Sequence, residues 1–295
     1  MASAPDRSAK VPAQIALLCL IWGSTWWAIR LCVEVQPPLT SAALRFLIAS
    51  LAMAALTPLL RRHEGTPPPA PPPVWLWSLA GATNFAGSYG VLYVAEQHVR
   101  SGTAAVLWAV FPLLMALSGV LVLGERLSPR QLLGFVICFS GICTVSANDL
   151  GGDDLHWALL LLASPLVSAV GTTLVKRHGR HSSSVLLNRN GMLLGAALLG
   201  AAAFACERPL ELRWTWPAAA ATLYLALVGT TLAFGLYFHL LRTTAASSLS
   251  LITYVTPVLA MLLAAIVGDG ALTPLALAGT TLVAAGLFLV VGRRR

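Results

Sequence analysis

The chain is a succession of long, unbroken apolar runs separated by short polar or proline-bearing joints. Cutting it at charges and prolines leaves ten candidate spans: 12–34, 38–60, 74–95, 102–123 and 130–147, then 155–175, 184–205, 215–240, 244–267 and 272–292. Each approaches the roughly 20 apolar residues a helix needs to cross a hydrocarbon core. The runs are continuous, so the period-two alternation of a lipid-facing β-barrel strand is missing. In lipid every backbone polar group needs an internal partner, which a helix provides within one segment. The pattern predicts an all-α integral membrane protein of ten transmembrane helices. One joint, residues 61–73, carries Pro67, Pro68, Pro69, Pro71, Pro72 and Pro73 and reads as a stiff extended connector. The other joints are short, so consecutive spans are antiparallel neighbours.

Composition agrees. Only 10% of the 295 residues are charged and the mean hydropathy is +0.79; a water-facing surface usually takes about 25% charge. The formal charge of +8 would on a soluble chain raise the question of nucleic acid. Here the placement of the charges accounts for it. With ten spans both termini share a side, and of the 19 Lys and Arg thirteen fall in segments on that side. Arg100, Arg208 and Arg213 fall on the other, and Arg30, Arg45 and Arg189 lie within spans. This positive-inside asymmetry puts both termini in the cytoplasm and predicts no nucleic-acid partner. The five cysteines show no metal or redox spacing and read as packing residues. The first apolar run has no small-x-small cleavage site after it and is expected to remain as a helix.

Sliding the chain against itself by 145 residues superposes Pro112 on Pro257, Pro129 on Pro274, Gly134 on Gly279, Gly141 on Gly286, Ser128 on Thr273 and Gly90 on Gly235. Proline and glycine positions shape helices, so the matches carry structural weight. Each half, 1–148 and 149–295, holds five spans. An odd number turns the second copy upside down, the inverted-repeat plan of secondary carriers, with substrate near the midplane.

The segments Trp22-Gly23-Ser24-Thr25, Pro37-Pro38, Arg45-Phe46, Ser101-Gly102-Thr103-Ala104-Ala105, Pro112 and Gly124-Glu125-Arg126-Leu127 resemble a first EamA domain of the drug/metabolite transporter superfamily. Thr256-Pro257, followed by Gly279 and Gly286, resembles a second. The motifs are short; their order and spacing make the resemblance specific. It implies ten helices, an inverted duplication, and export of amino acids or other metabolites across a bacterial inner membrane. One departure is visible. The position matching Glu125 is Gly270, with Asp269 one residue early, so any role of that acid rests on Glu125 alone.

Candidate chemistry is sparse. No HExxH, nucleophile elbow, P-loop or in-span carboxylate pair is present, and the six histidines are dispersed. This predicts neither an enzyme nor an ATP-driven pump, and no cofactor or metal. Pro112 and Pro257 lie mid-span in symmetry-related helices, where each removes a backbone hydrogen bond and can bend a gate. Arg45 lies deep in the second span and needs a cavity or partner, since a buried arginine costs about 2.5 kcal/mol or more. Arg30 can pair with Glu34 one turn on. No Asp or Glu lies at the centre of a span, which argues against a cation-for-proton exchanger and favours a substrate bearing a carboxylate. Rings with sparse hydrogen-bonding groups line largely apolar pockets. Trp22 and Trp26 share a face beside Ser24; Asn84 and Ser88 share another near Tyr89; Trp108 precedes Pro112; Thr230, Tyr237 and Tyr254 complete the candidate set. Trp27, Trp75, Trp77, Trp214 and Trp216, near span ends, read as an interfacial belt. Glu125, at the end of the fourth span, is a gate latch or a loop anchor. Gly191 and Gly195 form a GxxxG for close helix contact, within the chain or between protomers.

These readings define a secondary transporter of a small molecule, monomeric with a dimer as the alternative, working by alternating access. The competing functions are a drug-efflux carrier and a nonspecific uptake facilitator. A channel lacks its polar stripe here, and a receptor lacks its soluble output domain.

Overall fold

The computed structural model describes residues 7–62, 64–65, 67–124, 126–149, 155–207, 212–243 and 246–291. Within them the chain makes ten helical passes. The first half holds α1 (Arg7–Val33), α2 (Pro38–Arg62), α3 (Val74–Ala80, Gly81–Gly87 and Ser88–Glu96), α4 (Ser101–Trp108 and Phe111–Leu123) and α5 (Pro129–Asp149). The second holds α6 (Leu155–His178), α7 (Ser184–Cys206), α8 (Trp216–Leu223, Tyr224–Leu232 and Ala233–Thr243), α9 (Ala246–Val267) and α10 (Pro274–Val291). By length and composition Val11–Val33, Pro38–Arg62, Ser101–Val122, Leu155–His178, Ser184–Cys206 and Trp216–Tyr237 can each cross a bilayer. Leu121, Phe204 and Ile266 stand 77%, 84% and 81% exposed, an outward apolar surface suited to lipid. Trp75, Trp214 and Trp216 are also exposed near helix ends, as a belt requires.

Two interruptions recur at the repeat positions. The middle of α3, Gly81–Gly87, and the middle of α8, Tyr224–Leu232, are π-helical, and a shift of 145 carries 81–87 onto 226–232. A π-turn widens the helix and moves its backbone bonds from i−4 to i−5 carbonyls. In α8 two threonine hydroxyls follow the same i−5 spacing: Thr230 Oγ1 donates to Leu225 O (2.7 Å) and Thr231 Oγ1 to Ala226 O (3.0 Å). The prolines, by contrast, differ between halves. α4 stops at Trp108 and restarts at Phe111, with Pro112 in the new first turn. α9 continues as one helix past Pro257, which omits a single backbone hydrogen bond. The paired bends expected at these two positions are thus a break in one half and an inclusion in the other.

Reciprocal contacts hold the halves together. The acid after α2, Glu64, accepts from Val185 N (3.0 Å), Ser184 Oγ (3.0 Å) and Ser183 Oγ at the start of α7. The acid after α7, Glu207, accepts from Leu39 N (2.6 Å), Thr40 N (2.9 Å) and Thr40 Oγ1 (2.8 Å) at the start of α2. Each carboxylate meets the orphan N–H groups and positive dipole end of the other half's helix. Asp269 does the same for α4, accepting from Ser101 N at 2.9 Å. The apparently degenerate acid of the second half therefore has a partner in the first. Its counterpart Glu125 lies outside the described residues.

The fifth helices meet at glycines. A Cβ at Gly134 would stand 2.7 Å from Gly286 O, and one at Gly141 would stand 2.6 Å from Gly279 O. Four of the six glycines matched by the 145-residue shift thus face one another across an antiparallel pair. The GxxxG of α7 also packs within the chain, Gly191 and Gly195 both lying against Phe85 of α3. The proline connector crosses to the α6–α7 joint, where Ala70 N donates to His181 O (3.2 Å) and Ser183 N to Ala70 O (2.8 Å). Residues 61–73 and 176–183 consequently lie on one face, here termed the basic face, as inverted repeats require.

Candidate functional site

Arg45 anchors the interior. It is 3% exposed, two turns into α2. Its Nε donates to Thr230 Oγ1 (3.1 Å) on the π-segment of α8, and its Nη1 to Tyr93 Oη (3.3 Å) on α3. The guanidinium carbon lies 5.0 Å from the Tyr89 ring centre and 5.4 Å from that of Phe46. Phe46 in turn meets Tyr89 edge-on at 4.8 Å and Phe85 at 5.3 Å. Two hydroxyls and two ring faces thus surround the cation, and among the described residues no carboxylate oxygen lies within 4 Å of it. A guanidinium with unspent donors and aromatic walls is suited to bidentate capture of a carboxylate.

A second group joins four helices. Trp108 Nε1 donates to Ser164 Oγ on α6 (3.2 Å), and Ser164 Oγ lies 3.0 Å from Ser88 Oγ on α3. Trp26 of α1 packs on Trp108 at 6.3 Å, and Trp108 stacks on Phe111 beyond the break at 4.9 Å. The break in α4 thus sits beside the ring that reaches across the bundle. Asn84, in the π-segment of α3, faces α6, where Thr172 Oγ1 donates to its Oδ1 at 3.4 Å.

The remaining candidates sit elsewhere. Trp22 does not join Trp26: it packs on Tyr237 (5.5 Å) and Phe234 (6.1 Å) of α8, within a separate core cluster. Ser24 Oγ meets Tyr224 Oη at 2.6 Å. Tyr254 lies in α9, but its side chain is outside what the structure describes. Four residues absent from the expected set are the partners of its members: Tyr93, Ser164, Phe46 and Tyr224. Only Phe46, adjacent to Arg45, carried a local sequence signal. The others become partners through contacts 48 to 200 residues apart.

At the face opposite the basic one lies a charged group. Arg30 Nε reaches Glu34 Oε1 (3.1 Å), as its spacing predicts, and Asp269 Oδ1 (3.8 Å). Arg30 Nη1 donates to Glu96 O (2.8 Å) and Gln97 O (2.9 Å). These bonds tie the ends of α1, α3 and α9 together. A groove of about 380 Å³ between α2 and α7, lined by Thr40, Leu44, Leu47, Leu193, Ala197 and Phe204, is almost wholly apolar and opens to lipid. It offers no polar recognition and is not the candidate site.

Ten helices in two inverted halves around a buried, hydrogen-bonded cation define a multi-pass membrane transporter. The sequence pattern of the EamA-like transporter family matches residues 12–147 and 155–292, and the chain belongs to that family, within the drug/metabolite transporter superfamily. It is 32% identical over 256 residues to the uncharacterized inner membrane transporter YedA of Escherichia coli K12, covering 83% of this chain and 79% of that one. It is 26% identical over 277 residues to the uncharacterized transporter YvbV of Bacillus subtilis, covering 94% and 90%. A solved crystal structure superposes with a TM-score of 0.67 at 19% identity, over 95% of this chain and 96% of that one, a likeness of fold.

Proposed function

We propose that the chain exports amino acids or related zwitterionic metabolites across the bacterial inner membrane by alternating access, with both termini cytoplasmic. The halves 1–148 and 149–295 rock about the Arg45 site, and Arg45 takes the substrate carboxylate. Tyr89, Phe46, Trp26 and Trp108 wall the apolar part of the substrate, while Ser88, Thr230 and Asn84 supply further hydrogen bonds. The break before Pro112 and the two π-segments give the helices beside the site their freedom to bend. Thirteen basic residues on one side support the orientation. The observation that carries the reading is the buried guanidinium of Arg45, held by hydroxyls and ring faces with no carboxylate within 4 Å among the described residues.

The test is counterflow in proteoliposomes with a competition panel of neutral, aromatic and cationic amino acids. Arg45→Ala should raise KM for carboxylate-bearing substrates about 30-fold or more, the equivalent of about 2 kcal/mol. Arg45→Lys should recover part of that loss. Unchanged KM in Arg45→Ala removes the counter-charge role. A second reading, efflux of uncharged aromatic drugs, draws on the Trp26–Trp108 and Phe46–Tyr89 pairs. It is favoured if neutral aromatic amides compete as well as the free acids do.

A further inference from the structure

Glu96 is the last residue of α3 and is 0% exposed. Both of its carboxylate oxygens lack a hydrogen-bond partner among the described residues, although its backbone oxygen is held by Arg30. The sequence places this residue among the acids of the outer joints; packing of the neighbouring helix ends buries it instead. It is not alone. The Gln36 amide and the Ser101 hydroxyl are also buried without hydrogen-bond partners among the described residues, both at this end of the bundle, where the Ser41 hydroxyl is buried too. Buried polar groups are nearly always hydrogen-bonded, so a concentration of unpaired ones marks a place built for something else.

Electrostatics around Glu96 are mixed. Arg30 and Cys32 on α1, Arg45 on α2, Tyr93 on α3 and Asp269 after α9 all interact with its carboxyl group. Glu34 is drawn to Arg30, and His98, Arg100 and His156 lie exposed at the rim. Tyr93, which accepts from Arg45, precedes Glu96 by three residues and so shares its helix face. Arg45 and Glu96 are therefore opposite charges near Tyr93 that interact without forming an ion pair among the described residues. An ionised carboxylate sealed away without partners costs several kcal/mol; a proton, or an ammonium donating to both oxygens, removes that cost.

We propose that Glu96 is a proton-binding site that the ammonium group of the substrate displaces, so that proton and substrate exchange across the membrane. This rests on the amino-acid reading above and names its coupling. In the sealed arrangement one Glu96 oxygen carries a proton. When this end opens, water enters among Gln36, Ser41 and Ser101. A substrate whose carboxylate is on Arg45 then brings its ammonium to Glu96 and releases the proton. Because the two cations compete for one carboxylate, movement of one drives the other in the opposite direction.

The experiment has two arms on the full-length protein. In lipid nanodiscs, infrared difference spectra are recorded across a pH titration for the unmodified protein, Glu96→Gln and Glu96→Asp, with and without phenylalanine. A protonated-carboxyl band that disappears in E96Q, is displaced in E96D and diminishes with phenylalanine supports the proposal. Spectra indifferent to E96Q overturn it, whatever the substrate. In proteoliposomes an opposing proton gradient should stimulate phenylalanine flux several-fold in the unmodified protein and not at all in E96Q; equal stimulation overturns the proposal. If phenylalanine is not moved while the Glu96 band still titrates, the proton site stands and the amino-acid reading fails instead.

Discussion

The glycine seam between α5 and α10 lends itself to a quantitative test. A Cβ placed at Gly141 would lie 2.6 Å from Gly279 O and 2.7 Å from Val283 N, where ordinary contact begins at 3.4 Å. Both obstacles are backbone atoms of a helix, so no side chain can swing aside. Gly141→Ala must therefore push the two helices apart by about 0.8 Å, the difference between 3.4 and 2.6. A gap of ~0.5–1 Å forfeits a quarter to a half of the dispersion attraction of the atoms that line it. Overpacking of this kind costs about 1–3 kcal/mol. Gly279 faces the same contact from the other side: its Cβ would stand 2.8 Å from Gly141 O. The separation forced by one alanine makes room for the second, so the double variant should cost less than the sum by at least ~0.5 kcal/mol. Thermal unfolding of purified protein in one detergent, followed by helical circular dichroism, reads all four proteins. An unchanged midpoint in Gly141→Ala, or strict additivity in the pair, would refute the claim that backbone proximity sets this interface.

Other predictions follow from single contacts. Glu64→Gln and Glu207→Gln should each lower stability by about 1–2 kcal/mol, by weakening a helix-end cap; similar shifts in unfolding midpoint are expected from these symmetry-related sites, and a silent pair would remove the reciprocal-cap argument. Ser164→Ala leaves Trp108 Nε1 and Ser88 Oγ without their shared partner and should cost about 1–3 kcal/mol, with a red shift in tryptophan emission if water reaches the ring; unaltered stability and emission would count against the shared bond. Gly195→Leu drives a side chain into Phe85 and should abolish accumulation of folded protein in the membrane, whereas Gly200→Leu, with open space at its Cβ, should be tolerated; equal behaviour in size-exclusion profiles would contradict the packing.

Much of the fold was legible because lipid imposes a length rule. The expected span 184–205 and the observed helix Ser184–Cys206 differ by one residue, and 74–95 and Val74–Glu96 likewise. The repeat was legible because proline and glycine keep register through duplication, and Gly134, Gly141, Gly279 and Gly286 meet accordingly. Less of the site was legible. Arg45 announced itself by the cost of burying it, but Tyr93 and Ser164 look like any polar residue in a span until packing brings them to a partner. The widened turns at 81–87 and 224–232 leave no composition cue, since an extra residue per turn depends on what stands beside the helix. Trp22 and Trp26 share a face, as their spacing implies, yet a long helix passes more than one neighbour. One ring therefore meets α8 and the other α4.

The exchanged carboxylates of Glu64 and Glu207 bear on how the molecule is made. During synthesis the first five helices enter the bilayer while the start of α2 still lacks the acid that will satisfy its amides, because that acid lies 168 residues downstream of Leu39. Glu64 meanwhile waits for a helix that has not yet been translated. Neither half can finish its own helix ends, so final assembly must await the arrival of α7 and is a docking of two incomplete pieces. Severed at the α5–α6 joint and produced as two chains, the pieces should find each other in the membrane, and each produced alone should be a target for quality-control proteolysis.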